Sequence, residues 1–187
     1  GVDVRRTGEG WYVPGGQSYR ACDAAVEGDY SQAAFFYAAD FIGSDVVLKG
    51  LNPNSSQGDR AVQKILEDFA ELGDYELDVS DIPDLVPALA AAAVYRAGKV
   101  TRFVNGSRLR MKESDRIATT CSMLHALGAL AEEGEDSIIV RGQKTLPGTG
   151  ERHLDCCNDH RIAMAAAVAA TRCAHPVTLQ GAECVAK

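Results

Sequence analysis

The chain has 187 residues, a formal net charge of −7 and a pI of about 5.1. Hydrophobic residues make up 46% and charged residues 24%, the balance of a globular protein able to bury a core without disulfides. The acidic excess argues against a nucleic-acid surface, and no apolar run reaches the roughly 20 residues of a membrane span. None of the six cysteines forms a C-x-x-C pair, which points to a reducing cytosol and no disulfide framework. Zinc held by Cys156, Cys157 and scattered histidines is disfavoured, because structural zinc shows spaced ligand pairs.

In chain order, Val2 to Val13 reads as a hairpin turning at Gly8-Glu9-Gly10, and Pro14-Gly15-Gly16 breaks it. A second extended stretch is expected over Tyr19 to Val26. From Glu27 the text repeats. The first copy has a helix over Gln32 to Phe41 and a strand over Val46 to Gly50. The second has Asp81-Ile82-Pro83-Asp84, a helix over Leu85 to Tyr95 and a strand over Val100 to Val104. The third has Asn158-Asp159-His160-Arg161, a helix over Ile162 to Cys173 and a strand over Val177 to Gly181.

Two copies continue alike. Ser56-Gln57-Gly58-Asp59-Arg60 opens an amphipathic helix to Leu72, and Glu113-Ser114-Asp115-Arg116 opens another to about Leu130. Ile65, Leu66, Phe69 and Leu72 keep a 3.6 period, so the first of these buries one face. The Ala-rich helices are apolar nearly all round and should pack closely on several sides. Strands are expected over Tyr75 to Val79 and Ser137 to Val140. The result is an α/β domain of repeated units with internal pseudo-threefold symmetry. The chain does not begin with Met, and the third copy stops at Lys187 before a second helix, so a piece of a longer protein is expected.

Two polar knots carry the chemistry. Arg108-Leu109-Arg110-Met111-Lys112-Glu113-Ser114-Asp115-Arg116 holds four cations in an acidic chain. Lys112 and Arg116 are spaced to share a helix face, and Ser114 or Asp115 suits an N-cap. Such a start can bind an anion, with Arg as a bidentate fork and Lys as a point charge. It can equally be a solvated face with local ion pairs. The second knot places Arg161 in the first turn of a buried-type helix, where either a simple cap or a ligand site fits. Asp84 stands at the matching place in the second copy. Gly142 to Gly148 lacks the Gly-Lys-Ser/Thr order of a phosphate loop.

Lys112-Glu113-Ser114-Asp115-Arg116 and Asn158-Asp159-His160-Arg161-Ile162-Ala163-Met164 resemble the signature stretches of the 5-enolpyruvylshikimate-3-phosphate synthase (3-phosphoshikimate 1-carboxyvinyltransferase) family. Glu27-Gly28-Asp29 with Ser31, Ile82-Pro83-Asp84 and Cys184-Val185-Ala186-Lys187 agree in the same order. The resemblance implies the enolpyruvyl transferase fold: two domains, each of three β-α-β-α-β-β units around buried parallel helices, with substrates between them. Residues 1–26 would be the tail of the other domain, and residues 27–187 one near-complete domain lacking its last helix.

The implied reaction transfers the enolpyruvyl group of phosphoenolpyruvate to the 5-hydroxyl of shikimate-3-phosphate and releases phosphate, without metal or organic cofactor. Position by position, Asp84 resembles the carboxylate that holds the 5-hydroxyl and takes its proton. Lys112 resembles the lysine beside the shikimate hydroxyls, and Glu113 the acid that protonates the methylene carbon. Arg116 and Arg161 resemble the pair gripping phosphoenolpyruvate, and Lys187 a further lysine of that site. Arg108 stands where some members contact the shikimate phosphate with an amide. The expected partners are these small substrates, with no nucleic acid or membrane, in a cytoplasmic protein that is monomeric at full length. Two other readings are a UDP-N-acetylglucosamine enolpyruvyl transferase, whose reactive Cys loop is not seen, and a noncatalytic anion-binding domain.

Overall fold

The computed structural model describes every residue except Arg152 and Lys187. A short hairpin, β1 (Arg5–Thr7) and β2 (Gly10–Tyr12), leads by an irregular segment to α1 (Tyr30–Phe41). A 3₁₀ turn and α2 (Val62–Glu71) follow, then β3 (Tyr75–Asp78), a second 3₁₀ turn (Pro83–Leu85) and α3 (Val86–Ala93). Next come β4 (Val100–Val104), a 3₁₀ turn (Ser107–Met111), α4 (Arg116–Ala126), β5 (Leu130–Glu133) and β6 (Ile138–Arg141). The chain closes through β7 (His153–Asp155), α5 (His160–Ala170), β8 (Thr178–Gln180) and a 3₁₀ turn (Ala182–Ala186).

The core is a triplet of helices, α1, α3 and α5, each packed on the other two. Alanine makes this possible. All eight residues of α3 are buried, and five of them are alanines, Ala88 and Ala90 to Ala93. Small side chains let the backbones approach, and α5 answers with Ala165, Ala166 and Ala169. The three helices run in one direction. At their starts, Arg161 of α5 donates to the Ser31 hydroxyl of α1 at 3.0 Å and pairs with Asp84 before α3. At their ends, the Tyr95 hydroxyl donates to the Ala169 carbonyl at 2.6 Å, and Arg172 donates to the Ile42 carbonyl.

Sheets flank the triplet. β3 and β4 bracket α3 and pair in parallel, and β7 and β8 bracket α5 in the same way. The larger sheet has the order β3-β4-β6-β5, with β6 antiparallel to both neighbours. On the outside, α2 buries Val62, Ile65, Leu66 and Phe69 and turns Lys64 and Asp68 outward as an ion pair. Buried Arg96 seals the end of this helix, donating to the carbonyls of Phe69, Leu72 and Gly73, where a helix terminus favours a cation.

Three expectations need correction. Tyr19 to Val26 and Val46 to Gly50 are not strands: they are extended in composition but find no paired neighbour among the described residues, and Val26 and Val47 are largely exposed. α4 stops at Ala126 instead of running to Leu130. Gly128 ends it at φ +84°, with the Gly128 and Ala129 amides bonded back to His125 and Leu124, the left-handed helix stop that glycine permits. A Cβ there would also meet Pro147 at 2.3 Å. The residues beyond form β5 instead.

Candidate functional site

The starts of four helices converge on one cluster. Three are capped by aspartate. Asp29 Oδ1 accepts from the Ser31 amide at 2.8 Å, Asp115 Oδ1 from Ala118 at 3.2 Å, and Asp159 Oδ1 from Arg161 at 3.0 Å. Each cap leaves the next polar side chain at the helix head, turned toward the others. The fourth start, before α3, uses Pro83 at its first position and presents Asp84.

Asp84 is the hub. Its Oδ1 lies 3.0 Å from Lys112 Nζ and 2.8 Å from Arg116 Nη1, and its Oδ2 lies 3.4 Å from Arg161 Nη2. Arg116 has no exposure at all. Its Nε donates to Asp159 Oδ2 at 2.9 Å, and its Nη2 donates to Glu113. Asp159 is equally buried and also accepts from the Ser114 hydroxyl at 2.9 Å. Arg161 Nη1 reaches the Asp84 carbonyl at 3.3 Å, while its buried Nε has no partner among the described residues.

Charge and burial divide the cluster into two layers. Arg116 and Asp159 lie beneath, out of water. Lys112, Asp84 and Glu113 lie above, with side-chain exposures of 26%, 31% and 49%. Burial alone raises the Asp84 carboxyl, but Arg161, Lys112 and Arg116 outweigh it and hold it below the usual carboxylate range. Asp159 behaves alike: burial raises it, and the hydrogen bond and charge of Arg116 prevail, leaving it lowered. The Arg116 guanidinium loses by burial and gains more from Asp159, Glu113 and Asp84, so its proton is held more tightly. Asp59 goes the other way, pushed up by burial and then by the Asp84 charge. A cavity of about 610 Å³ opens beside this layer, lined by Gln32, Glu113, Asn158, His160, Met164, Cys184 and Val185.

The structure thus brings together Asp84, Lys112, Glu113, Arg116 and Arg161. It does so differently from the expected helix-face spacing, because α4 begins only at Arg116 and Lys112 has extended backbone. Asp84, not the helix, joins the two cations. Arg108 is exposed and donates to the Ser80 carbonyl at 3.2 Å, outside the Asp84 ion pairs. Lys187 lies outside the described residues. Sequence reasoning missed Asp159 as the partner of Arg116, Ser31 as a contact of Arg161, and Asp59. For Asp59 a signal existed: it holds the place before an arginine in the first copy that Asp115 holds in the second. The Glu27 knot also has a role. Glu27 accepts from Asn52, Ser55 and Gln57, and Gln57 accepts from the Tyr30 amide at 2.8 Å, tying the loop to the head of α1.

The family model described as EPSP synthase (3-phosphoshikimate 1-carboxyvinyltransferase) matches residues 1–187. A 3-phosphoshikimate 1-carboxyvinyltransferase from Clostridium kluyveri is 40% identical over 190 residues, covering 94% of this chain and 44% of its own length. One from Clostridium acetobutylicum is 37% identical, covering 100% of this chain and 46% of its own. Among solved structures, EPSP synthase from Acinetobacter baumannii superposes with a TM-score of 0.80 at 27% identity, covering 100% of this chain and 49% of that one. The chain therefore spans less than half the length of the relatives it matches.

Proposed function

The chain belongs to the EPSP synthase family, and from that premise we propose that it supplies one wall of a site for enolpyruvyl transfer from phosphoenolpyruvate to the 5-hydroxyl of shikimate-3-phosphate. In this reading residues 27–187 are most of one domain, residues 1–26 are the tail of another, and the second domain brings the facing wall. The substrates are small molecules, and the compartment is the cytoplasm.

The observation that carries the reading is the triple engagement of Asp84 by Lys112, Arg116 and Arg161. It supports a carboxylate kept ionised among cations that suit an anionic substrate. Asp84 accepts the proton of the attacking hydroxyl as its oxygen bonds to C2 of phosphoenolpyruvate. Glu113 delivers a proton to the methylene carbon, giving a tetrahedral adduct. Glu113 then takes a proton back from the new methyl group as the C–O bond to phosphate breaks, and the proton held by Asp84 passes to the departing phosphate, which restores the double bond and returns both carboxyl groups to their starting states. Arg116, Arg161 and Lys187 hold the carboxylate and phosphate, and Lys112 steadies the shikimate hydroxyls. Preorganised cations stabilise the developing charge.

Every cation of the cluster already faces a carboxylate. Glu113, half exposed against Arg116, is the one that a substrate anion displaces most easily. Once displaced it stands beside the bound anion, in reach of a proton transfer. The test is phosphate release by the full-length protein that contains this sequence. Release with shikimate-3-phosphate supports the reading. Release with UDP-N-acetylglucosamine instead overturns it in favour of the related sugar-nucleotide transferase, and release with neither leaves a noncatalytic anion-binding role.

A further inference from the structure

Lys112 and Glu113 sit on a short bridge. Behind them the 3₁₀ turn ends at Met111, and ahead of them α4 begins at Arg116. Lys112 itself is extended, at φ −89° and ψ −163°. No helix holds these two residues, so beyond their own ion pairs with Asp84 and Arg116 and the Ser114 bond to Asp159, their aim depends on what fastens the ends of the bridge.

One end is fastened by Arg110. Its Nη1 donates to Asp115 Oδ2 at 2.7 Å, spanning residues 111–114 and closing them into a loop. The same guanidinium reaches the turn between β5 and β6. Nη1 and Nη2 each donate to Glu133 Oε1 at 3.1 Å, Nη2 to the Gly134 carbonyl at 2.7 Å, and Nε to the Glu135 carbonyl at 2.7 Å. All three nitrogens are engaged, in the fork geometry that lysine cannot reproduce. The turn is seated nearby as well: the Gly106 amide donates to the Asp136 carbonyl at 2.7 Å, and a Cβ on Gly106 would meet that oxygen at 3.0 Å. Asp115 is also the cap of α4, so the clasp fixes the loop, the head of α4 and the β5–β6 turn as one unit.

We propose that Arg110 is a positioning residue for the reaction, clasping the 111–115 loop so that Lys112 and Glu113 stay aimed at the Asp84–Arg116 cluster. The proposal rests on the reading that Lys112 and Glu113 act on substrate. Its signature is a split between stability and turnover. The clasp is partly open to solvent, with side-chain exposures of 31% for Arg110, 40% for Asp115 and 42% for Glu133, and such pairs add little to global stability. A misaimed proton donor, by contrast, can cost about 10²-fold in rate.

The experiment compares Arg110→Met and Arg110→Lys with wild type in the full-length protein, reading kcat, KM, Tm and hydrogen exchange by peptide. Arg110→Met should lower kcat by about 10²-fold with KM changed much less. Arg110→Lys should recover only part of the rate. Exchange should quicken over residues 111–115 while α3 keeps its protection. Unchanged exchange over 111–115 overturns the proposal, as does wild-type kcat in Arg110→Met or an equal loss of protection in α3. If wild type itself releases no phosphate, the functional reading fails, and the exchange comparison still decides whether Arg110 holds the loop.

Discussion

Arg116 Nε donates to Asp159 Oδ2 at 2.9 Å, and both side chains are wholly removed from solvent. The pair joins the head of α4 to the head of α5 across 43 positions of sequence. Two charges taken out of water must be mutually satisfied, and removing one strands the other. Asp159→Ala should therefore destabilise the fold by about 3–5 kcal/mol, read from urea melts. Asp159→Asn should cost less, since asparagine also caps a helix. A cost near zero for Asp159→Ala would mean that Arg116 finds another anion.

Acid sensitivity follows from the same groups. Asp84 and Asp159 are held below the ordinary carboxylate range. Their contribution is therefore present above the unfolded value, about 3.9, and is lost as pH falls through the lowered folded values. Melting temperature measured from pH 7 downward should drop in that acid window. Asp159→Asn should drop less steeply over it, starting from a lower plateau.

Asp59 has the opposite sign. Burial and the Asp84 charge raise its carboxyl, so the folded state holds its proton more tightly than the unfolded chain does. Its ionisation opposes folding at neutral pH, and Asp59→Asn should raise the melting temperature there. The gain should vanish below the unfolded value, where aspartate is protonated in both states. Carboxyl carbon NMR provides an independent check, with Asp59 titrating above the usual range and Asp84 below it.

On the proposed mechanism, the substitution Glu113→Gln separates proton transfer from binding. It keeps shape and removes the acid, so turnover should fall by about 10²–10⁴-fold with a much smaller change in KM. Arg161→Ala should instead weaken phosphoenolpyruvate binding. Wild-type turnover in Glu113→Gln would remove this residue from the chemistry.

Close packing of the triplet is testable without any substrate. Ala91 has no exposed surface in the middle of α3. Ala91→Leu should destabilise by about 1–3 kcal/mol through overpacking, although leucine is nearly as good a helix former as alanine.

Much of this was legible in the residues. Val100 to Val104 reads as a strand and is one, because its β-branched and aromatic text finds β3 and β6 on either side. The all-round apolar helices mark themselves as buried: α3 is buried along its whole length, while α5 buries six of its eleven residues and leaves Ala167 exposed. Val46 to Gly50 has the same strand composition but no paired neighbour among the described residues, and composition alone cannot supply one. The helix that reads on to about Leu130 is cut short at Ala126, because Gly128 ends α4 against Pro147. In the site, charge type was visible and pairing was not. A cap is legible in Asn158-Asp159-His160-Arg161, but nothing local there says that the capping Asp159 will also hold Arg116.

The central claim is that this chain forms one wall of an enolpyruvyl transfer site. The most direct measurement is phosphate release from phosphoenolpyruvate and shikimate-3-phosphate by the isolated 187-residue chain and, in parallel, by a full-length protein that adds the second domain. Turnover by the full-length protein and none by the isolated chain is the expected result. Turnover by the isolated chain, or none by either, would contradict it.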